Sequence, residues 1–171
     1  LAWSGRVAEA EAQAAAALAS RRDPREEALL EHRLGEALLV RGDSPAAVPH
    51  LERALGSGRL EGVDALRAGA WLSAALMSSY DVPKALAAAD AALAAIEAGD
   101  GDAEAEANAL ATRCRLRAWL LDLDDAVADA ERALAIVRGG PVLRRPPHLL
   151  CGYTLANADR LDEAESVLRE G

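Results

Sequence analysis

Residues 34–54 read LGEALLVRGDSPAAVPHLERA and carry the clearest fold signal in the sequence. Apolar residues recur in both halves at spacings of three and four, as they do on one face of an α-helix. Between the halves, Gly42, Asp43 and Pro45 combine a helix stop with an N-cap and a first-turn proline. The stretch therefore predicts two helices joined by a turn of a few residues, and so short a link makes them antiparallel neighbours.

The same pattern recurs along the chain. Five turn segments that each lead into a helix end on an alanine: Ala10, Ala47, Ala85, Ala126 and Ala164. Successive alanines are 37, 38, 41 and 38 residues apart. The first four are each followed by a second alanine seven residues later. Seven residues are two helical turns, so both alanines share one face, where a neighbouring helix can approach closely. The alanine positions predicted to pack between repeats are Ala10, Ala17, Ala47, Ala54, Ala85, Ala92, Ala126, Ala133 and Ala164.

Start and stop signals place the helices and the repeat boundaries. The predicted helices are 7–20, 24–41, 45–56, 63–79, 82–97, 103–121, 124–137, 146–158 and 161–169. They form four pairs preceded by one further helix, a single domain over 1–171 of about four and a half repeats with boundaries near 22, 60, 101 and 141. We expect the chain to be part of a larger multidomain protein. We place Ala12 and Ala105 on outward faces.

Composition excludes several classes of protein. Alanine makes up about a quarter of the 171 residues, aromatic residues are 3% and phenylalanine is absent, which is untypical of β-sandwiches and β-barrels. The 28 acidic residues against 19 basic ones give a net charge of −9, which disfavours direct binding to a phosphate backbone. No apolar run approaches the length of a membrane span, and a cytoplasmic location is expected.

Residues with reactive side chains are few and scattered. Cys114 and Cys151 have no tight spacing and are predicted to be small buried thiols. His32, His50 and His148 lack partners at metal-ligand spacing. We therefore predict no catalytic residue, no cofactor-binding residue, no cofactor and no metal site, and we expect that the chain is not an enzyme.

The helix pairs resemble the tetratricopeptide repeat (TPR) family. The matches are Leu34-Gly35-x-x-Leu38 with its following helix, Cys151-Gly152-x-x-Leu155 and Leu72-Ser73-x-x-Leu76. The period runs near 38 residues, whereas the family's usual period is 34, and Arg113 and Arg117 stand where the pattern has apolar residues. The resemblance implies an all-α, right-handed solenoid of antiparallel helix pairs, and it adds Gly35 and Gly152 to the packing positions.

Long, alanine-rich repeats of this kind also resemble the helical arrays of bacterial LuxR-type ATP-binding transcriptional regulators. This resemblance implies a protein-interaction or effector-sensing scaffold in a bacterial transcriptional or signalling regulator, with a protein or peptide in a concave groove lined by the first helix of each pair. The alternative is a free-standing structural or assembly module that self-associates as a homodimer through its exposed terminal helix. Neither interpretation involves nucleic acid or membrane directly.

Family geometry implies which side chains face the groove. The residues predicted there are His32, Arg33, Glu36, Arg67, Asn108, Arg115, Tyr153 and Asn157. A plain solvated helix face remains the alternative for these polar groups. Trp71, Trp119 and Tyr153 are expected to pack between helices, because large aromatic side chains do so more often than they bind ligands.

Overall fold

The computed structural model describes residues 7–18, 23–99, 101–139 and 147–171, and the regular structure within them is helical throughout. The helices are α1 (Val7–Leu18), α2 (Pro24–Arg41), α3 (Ser44–Gly56), α4 (Gly62–Ser78), α5 (Val82–Ala98), α6 (Ala103–Trp119), α7 (Leu123–Gly139), α8 (His148–Asn157) and α9 (Leu161–Glu170). Each predicted helix is present, with ends displaced by two residues or fewer wherever they are described. Predicted helix residues 19, 20 and 146 lie outside the described ranges.

The helices pair in chain order. We call α2, α4, α6 and α8 the first helices and α3, α5, α7 and α9 the second helices. Each first helix packs on its own second helix, and each second helix packs on the next first helix. Among the described residues, successive first helices also contact one another, whereas successive second helices do not. The stack is therefore concave on the side of the first helices.

An aspartate caps the start of four of the described helices. The carboxylates of Asp23, Asp43, Asp81 and Asp102 each accept a hydrogen bond from a backbone N–H of the following turn. In three of these helices a proline stands in the first turn, where its missing N–H removes no helical hydrogen bond. These caps are the physical reason why acidic residues in the turns predict where the helices begin.

One residue in each turn between paired helices adopts the left-handed conformation. These residues are Gly42, Tyr80, Leu121 and Asp159, with φ of 88°, 62°, 64° and 61°. The next residue in each case donates its backbone N–H to a carbonyl five positions back, at 2.9–3.1 Å. The four turns are thus the same structure, although only Gly42 has the residue type that this backbone favours.

Small residues lie wherever paired helices meet. Ala47, Ala85, Ala126 and Ala164, one in each second helix, are buried. Gly35 lies so close to α3 that an added Cβ would come within 2.6 Å of Leu51 Cγ. Gly152 has the same relation to Leu168 of α9. The side chain of Ala10 lies outside the described residues, and Ala17 is half-buried.

The outward placement of Ala105 is wrong. Ala105 is 1% exposed and belongs to the core cluster that joins α5, α6 and α7. The first turn of α6 enters the stack and does not project from it. Ala12 is exposed, as expected.

The two arginines that break the apolar pattern of α6 are held by a buried carboxylate. Arg113 donates from Nε and Nη2 to Asp129 of α7 at 2.8 and 2.7 Å, and Arg117 donates to the same carboxylate at 2.9 Å. Asp129 is buried, and its hydrogen bond to Arg113 raises the pKa of that guanidinium above its usual value. An ion-pair network thus occupies positions that are apolar in the other repeats.

The close contact at Gly35 predicts a substitution effect. Gly35→Ala should lower the free energy of unfolding by about 1–3 kcal/mol, because the new methyl group meets Leu51 in a filled interface. Gly69→Ala is the matched control: its methyl group would meet Ala92 Cβ at 3.4 Å, an ordinary contact, and alanine is the better helix former. This control should be neutral or stabilising by up to about 1 kcal/mol. Urea unfolding measures both, and equal effects would contradict the close packing.

Candidate binding surface on the concave face

The concave face is the exposed side of the first helices α2, α4, α6 and α8. Since these helices lie side by side, residues near the same level of successive first helices become neighbours. The predicted groove residues other than Asn157 fall into three groups, which are ion-paired, buried, or clustered on the surface.

The first group consists of two arginines that bridge successive first helices. Arg33 of α2 donates to Glu36 at 3.0 Å and to Asp64 of α4 at 3.1 Å. Arg67 of α4 donates from Nε and Nη2 to Asp102, the N-cap of α6, at 3.1 and 3.0 Å. The hydrogen bond to Asp102 raises the pKa of Arg67. These guanidinium groups join one repeat to the next and are already neutralised.

The second group is buried. His32, Glu36 and Asn108 are enclosed where the first helices contact one another, so the expectation that they line an open groove is corrected. Neither ring nitrogen of His32 has a hydrogen-bond partner. Burial, together with the nearby charges of Arg33 and Arg67, lowers the pKa of His32 to about 4, although Glu36 and Asp64 oppose this shift. His32 is therefore neutral at pH 7.

The third group is a cluster of one arginine and three aromatic rings, which we call the Arg115 cluster: Tyr80, Arg115, Trp119 and Tyr153. The guanidinium carbon of Arg115 lies 5.3 Å from the ring centroid of Trp119 and 5.5 Å from that of Tyr153. Trp119 also stacks with Tyr80, with centroids 6.3 Å apart and planes 13° apart. The cluster spans α8, α6 and the turn after α4.

These rings are on the surface. Tyr80 is 82% exposed, Tyr153 46% and Trp119 38%. The expectation that Trp119 and Tyr153 are packing residues is therefore wrong, whereas Trp71 is buried as predicted. Only five aromatic residues occur in the sequence, so three of them in one exposed cluster is a marked concentration.

Arg115 differs from the other arginines of this face. Its Nη1 is buried and has no hydrogen-bond partner, and among the described residues no carboxylate lies within ion-pair distance of it. A buried donor left unsatisfied costs about 1–3 kcal/mol. Nε and Nη2 are not buried and also have no hydrogen-bond partner among the described residues, so they are the donors that a ligand can reach.

The sequence predicted Arg115 and Tyr153 on this face, but it did not predict Trp119 or Tyr80 there. Trp119 follows Arg115 by four residues, one turn along the same face, so helical spacing could have placed it there. Tyr80 carried no comparable signal, because its stacking depends on the turn geometry. Asn157 is exposed near the end of α8.

A cleft of about 390 Å³ lies on the other side of the stack, between α7 and α9. Its charged residues already have partners in the structure: Arg160 pairs with Glu131 and Glu163, and Arg138 pairs with Glu170. The charged groups of the cleft are therefore less available to a ligand than the Arg115 guanidinium is.

Both cysteines are buried, and a hydrogen bond with Cys114 together with burial raises the pKa of the Cys151 thiol. A thiol held in the neutral form is a poor nucleophile. Within the described ranges no group of three or more histidine, cysteine, aspartate or glutamate side chains could hold a metal ion. No described helix has both the length and the apolarity to cross a membrane.

Comparison with solved structures identifies the fold. Two structures of a predicted kinesin light chain of Podosopora anserina with nearly identical TPR-like repeats, one a point variant, match with TM-scores of 0.68 and 0.65 at 19% and 18% identity. The matches cover 99% and 98% of this chain and 86% of each of those chains. PlcR of Bacillus thuringiensis in its apo form matches with a TM-score of 0.71 at 14% identity, over 94% of this chain and 64% of PlcR.

No protein-family model matches the chain, and no curated protein matches it. The structural likenesses, at these identities, are likenesses of fold. They confirm the predicted architecture: the chain is an all-α, right-handed solenoid of TPR-like helix pairs.

The buried His32 predicts a specific pH dependence. Its pKa is lowered from 6.5 to about 4, so between these values the unfolded chain binds a proton that the folded chain does not. Stability should therefore fall as the pH is lowered through this window, by about 2 kcal/mol between pH 7 and pH 5. His32→Leu, of similar volume and with no unsatisfied nitrogen, should remove this contribution and be at least as stable at pH 7.

Urea unfolding of both proteins at pH 7 and pH 5 measures the difference. His50, His148 and the carboxylates remain in the variant, so they serve as an internal control. Equal pH slopes in the two proteins would show that His32 is not held neutral by its surroundings.

Proposed function

We propose that this chain is a protein-interaction and effector-sensing scaffold, the helical-repeat region of a bacterial transcriptional or signalling regulator. A protein or peptide segment binds on the concave face, and the chain itself performs no catalysis and contacts neither nucleic acid nor membrane. The fold supports the scaffold role, since TPR-like folds generally bind protein partners. The likeness to PlcR, a TPR-type regulator, supports the regulatory role and a cytoplasmic location.

The observation that carries the proposal is the Arg115 cluster. Interfaces between proteins are enriched in tyrosine, tryptophan and arginine, and these residues supply most of the binding energy in alanine scans. Here those residue types are gathered on one exposed site of a chain that is otherwise poor in aromatic residues.

Ion pairs between first helices connect a ligand bound on this face to the rest of the stack. Arg33 joins α2 to α4 through Asp64, and Arg67 joins α4 to α6 through Asp102. A ligand that touches α6 and α8 together favours one relative position of these helices. The ion pairs between first helices then transmit a small displacement from repeat to repeat, so that occupancy alters the arrangement offered to neighbouring modules.

Self-association through the terminal helix has less support. The described exposed side chains of α1 are Glu9, Ala12, Gln13 and Ala16, which are small or polar. They offer little apolar area to a second copy. The Arg115 cluster offers more.

The proposal predicts where peptides bind. A random 12-residue peptide library displayed on phage, selected against the chain, should yield peptides that perturb backbone NMR signals of α6 and α8. The double variant Trp119→Ala/Tyr153→Ala should weaken these peptides at least tenfold, because it removes the aromatic contact area. Leu161→Ala is the matched control, since Leu161 is a large exposed apolar residue on a second helix; it should leave binding unchanged. A selection without binders, or binders that map to the second helices, would contradict the proposal.

A further inference from the structure

The Arg115 guanidinium is the feature of the concave face that points to a particular ligand. Two other arginines of the same helix, Arg113 and Arg117, are held by Asp129 at 2.7–2.9 Å. Arg33 and Arg67, on the neighbouring first helices, are paired as well. Arg115 contacts aromatic rings instead, and its Nη1 is enclosed without an acceptor.

The rings of Trp119 and Tyr153 preorganise the Arg115 guanidinium for binding an anion. Trp119 and Tyr153 lie at 5.3 and 5.5 Å from the guanidinium carbon, within the range of cation–π attraction. They restrict the side chain to one place, so less conformational entropy is lost when a ligand binds. Part of the guanidinium, its Nη1, is buried, and partial burial strengthens an ion pair formed there.

We propose that the Arg115 cluster binds an acidic side chain, aspartate or glutamate, within an extended peptide segment of a partner protein. The carboxylate accepts hydrogen bonds from Nε and Nη2 of Arg115, the guanidinium nitrogens that are not buried, whose planar fork matches its two oxygens. Side chains two positions apart share one face of an extended segment. Apolar residues two positions before and two positions after the acidic residue therefore lie against Tyr153 and against Trp119 and Tyr80. This inference rests on the proposed function and names the class of partner.

The size of the cluster fits such a segment. The separations from Tyr153 to Arg115, Arg115 to Trp119 and Trp119 to Tyr80 are 5.5, 5.3 and 6.3 Å. Along this path the cluster extends over no more than the length of about five extended residues at ~3.4 Å per residue. A five-residue segment with an acidic residue at its centre and an apolar residue at each end therefore covers the cluster.

The charge of the surroundings favours a carboxylate over a phosphate. Phosphorylated segments are recognised by groups of arginines. The neighbouring arginines are already neutralised by Asp64, Asp102 and Asp129, and the chain carries a net charge of −9. One available guanidinium in this setting suits a single negative charge.

Three synthetic peptides test the inference on the whole chain. The first is acetyl-Gly-Leu-Pro-Glu-Pro-Leu-Gly-amide, which puts both leucines on the same face as the glutamate when the peptide is extended. The second has glutamine in place of glutamate, and the third has glutamine and a free C-terminal carboxylate. Binding is followed by the indole N–H signal of Trp119, with that of the buried Trp71 as reference. We expect saturable shifts of the Trp119 signal with the glutamate peptide and at least tenfold weaker binding of the other two.

Two variants assign the effect to the residue. Arg115→Gln should weaken the glutamate peptide at least tenfold. Arg59→Gln, which causes the same charge change at an exposed arginine with no ion pair among the described residues, should leave its binding unchanged. The comparison of peptides on the unaltered chain does not depend on how a variant folds.

Several results would overturn the inference: no response of Trp119 to the glutamate peptide, equal binding of the glutamate and glutamine peptides, or unchanged binding by Arg115→Gln. A free C-terminus that binds as well as glutamate would make the cluster a site for chain ends, which also contradicts it. If library peptides bind the concave face without dependence on Arg115, the proposed function stands and this inference fails. If no library peptide binds that face, both fail.

Discussion

The close approach of paired helices at small residues is the constraint on which the rest of the structure depends. In every pair an alanine of the second helix is buried, at Ala47, Ala85, Ala126 and Ala164. Where the facing position of the first helix is glycine, at Gly35 and Gly152, a leucine of the partner helix occupies the space of the missing side chain. Since each contact buries little area, stability has to come from many such contacts repeated along the stack.

This way of packing also explains the position of the aromatic residues. An interface built from alanine and glycine has no room for large rings, and of the aromatic residues described only Trp71 is buried. The others meet on the concave face around Arg115. The scarcity of aromatic residues in the sequence and their concentration on one surface therefore have a common physical cause.

Much of the fold could be predicted from the sequence because its signals are local. Apolar spacing, aspartate caps and first-turn prolines act within a few residues, so helices and turns can be predicted without knowledge of the tertiary structure.

The burial of His32, Glu36 and Asn108 could not be predicted in the same way, because it depends on how one first helix lies against the next. Arg113 and Arg117 looked like a break in the repeat until Asp129, from the following helix, was placed beside them. Only part of the Arg115 cluster could be predicted from the sequence. Tyr80 contacts Trp119 because Tyr80 adopts a left-handed backbone conformation, which tyrosine does not favour.

The most direct test of this account is the unfolding of Ala126→Leu compared with Ala128→Leu, the same substitution two residues apart on α7. Ala126 is buried and Ala128 is exposed. If small residues set the spacing of the helix pairs, Ala126→Leu should lower the free energy of unfolding by about 1–3 kcal/mol, while Ala128→Leu should change it by less than about 0.5 kcal/mol. Equal effects at the two positions would contradict the account.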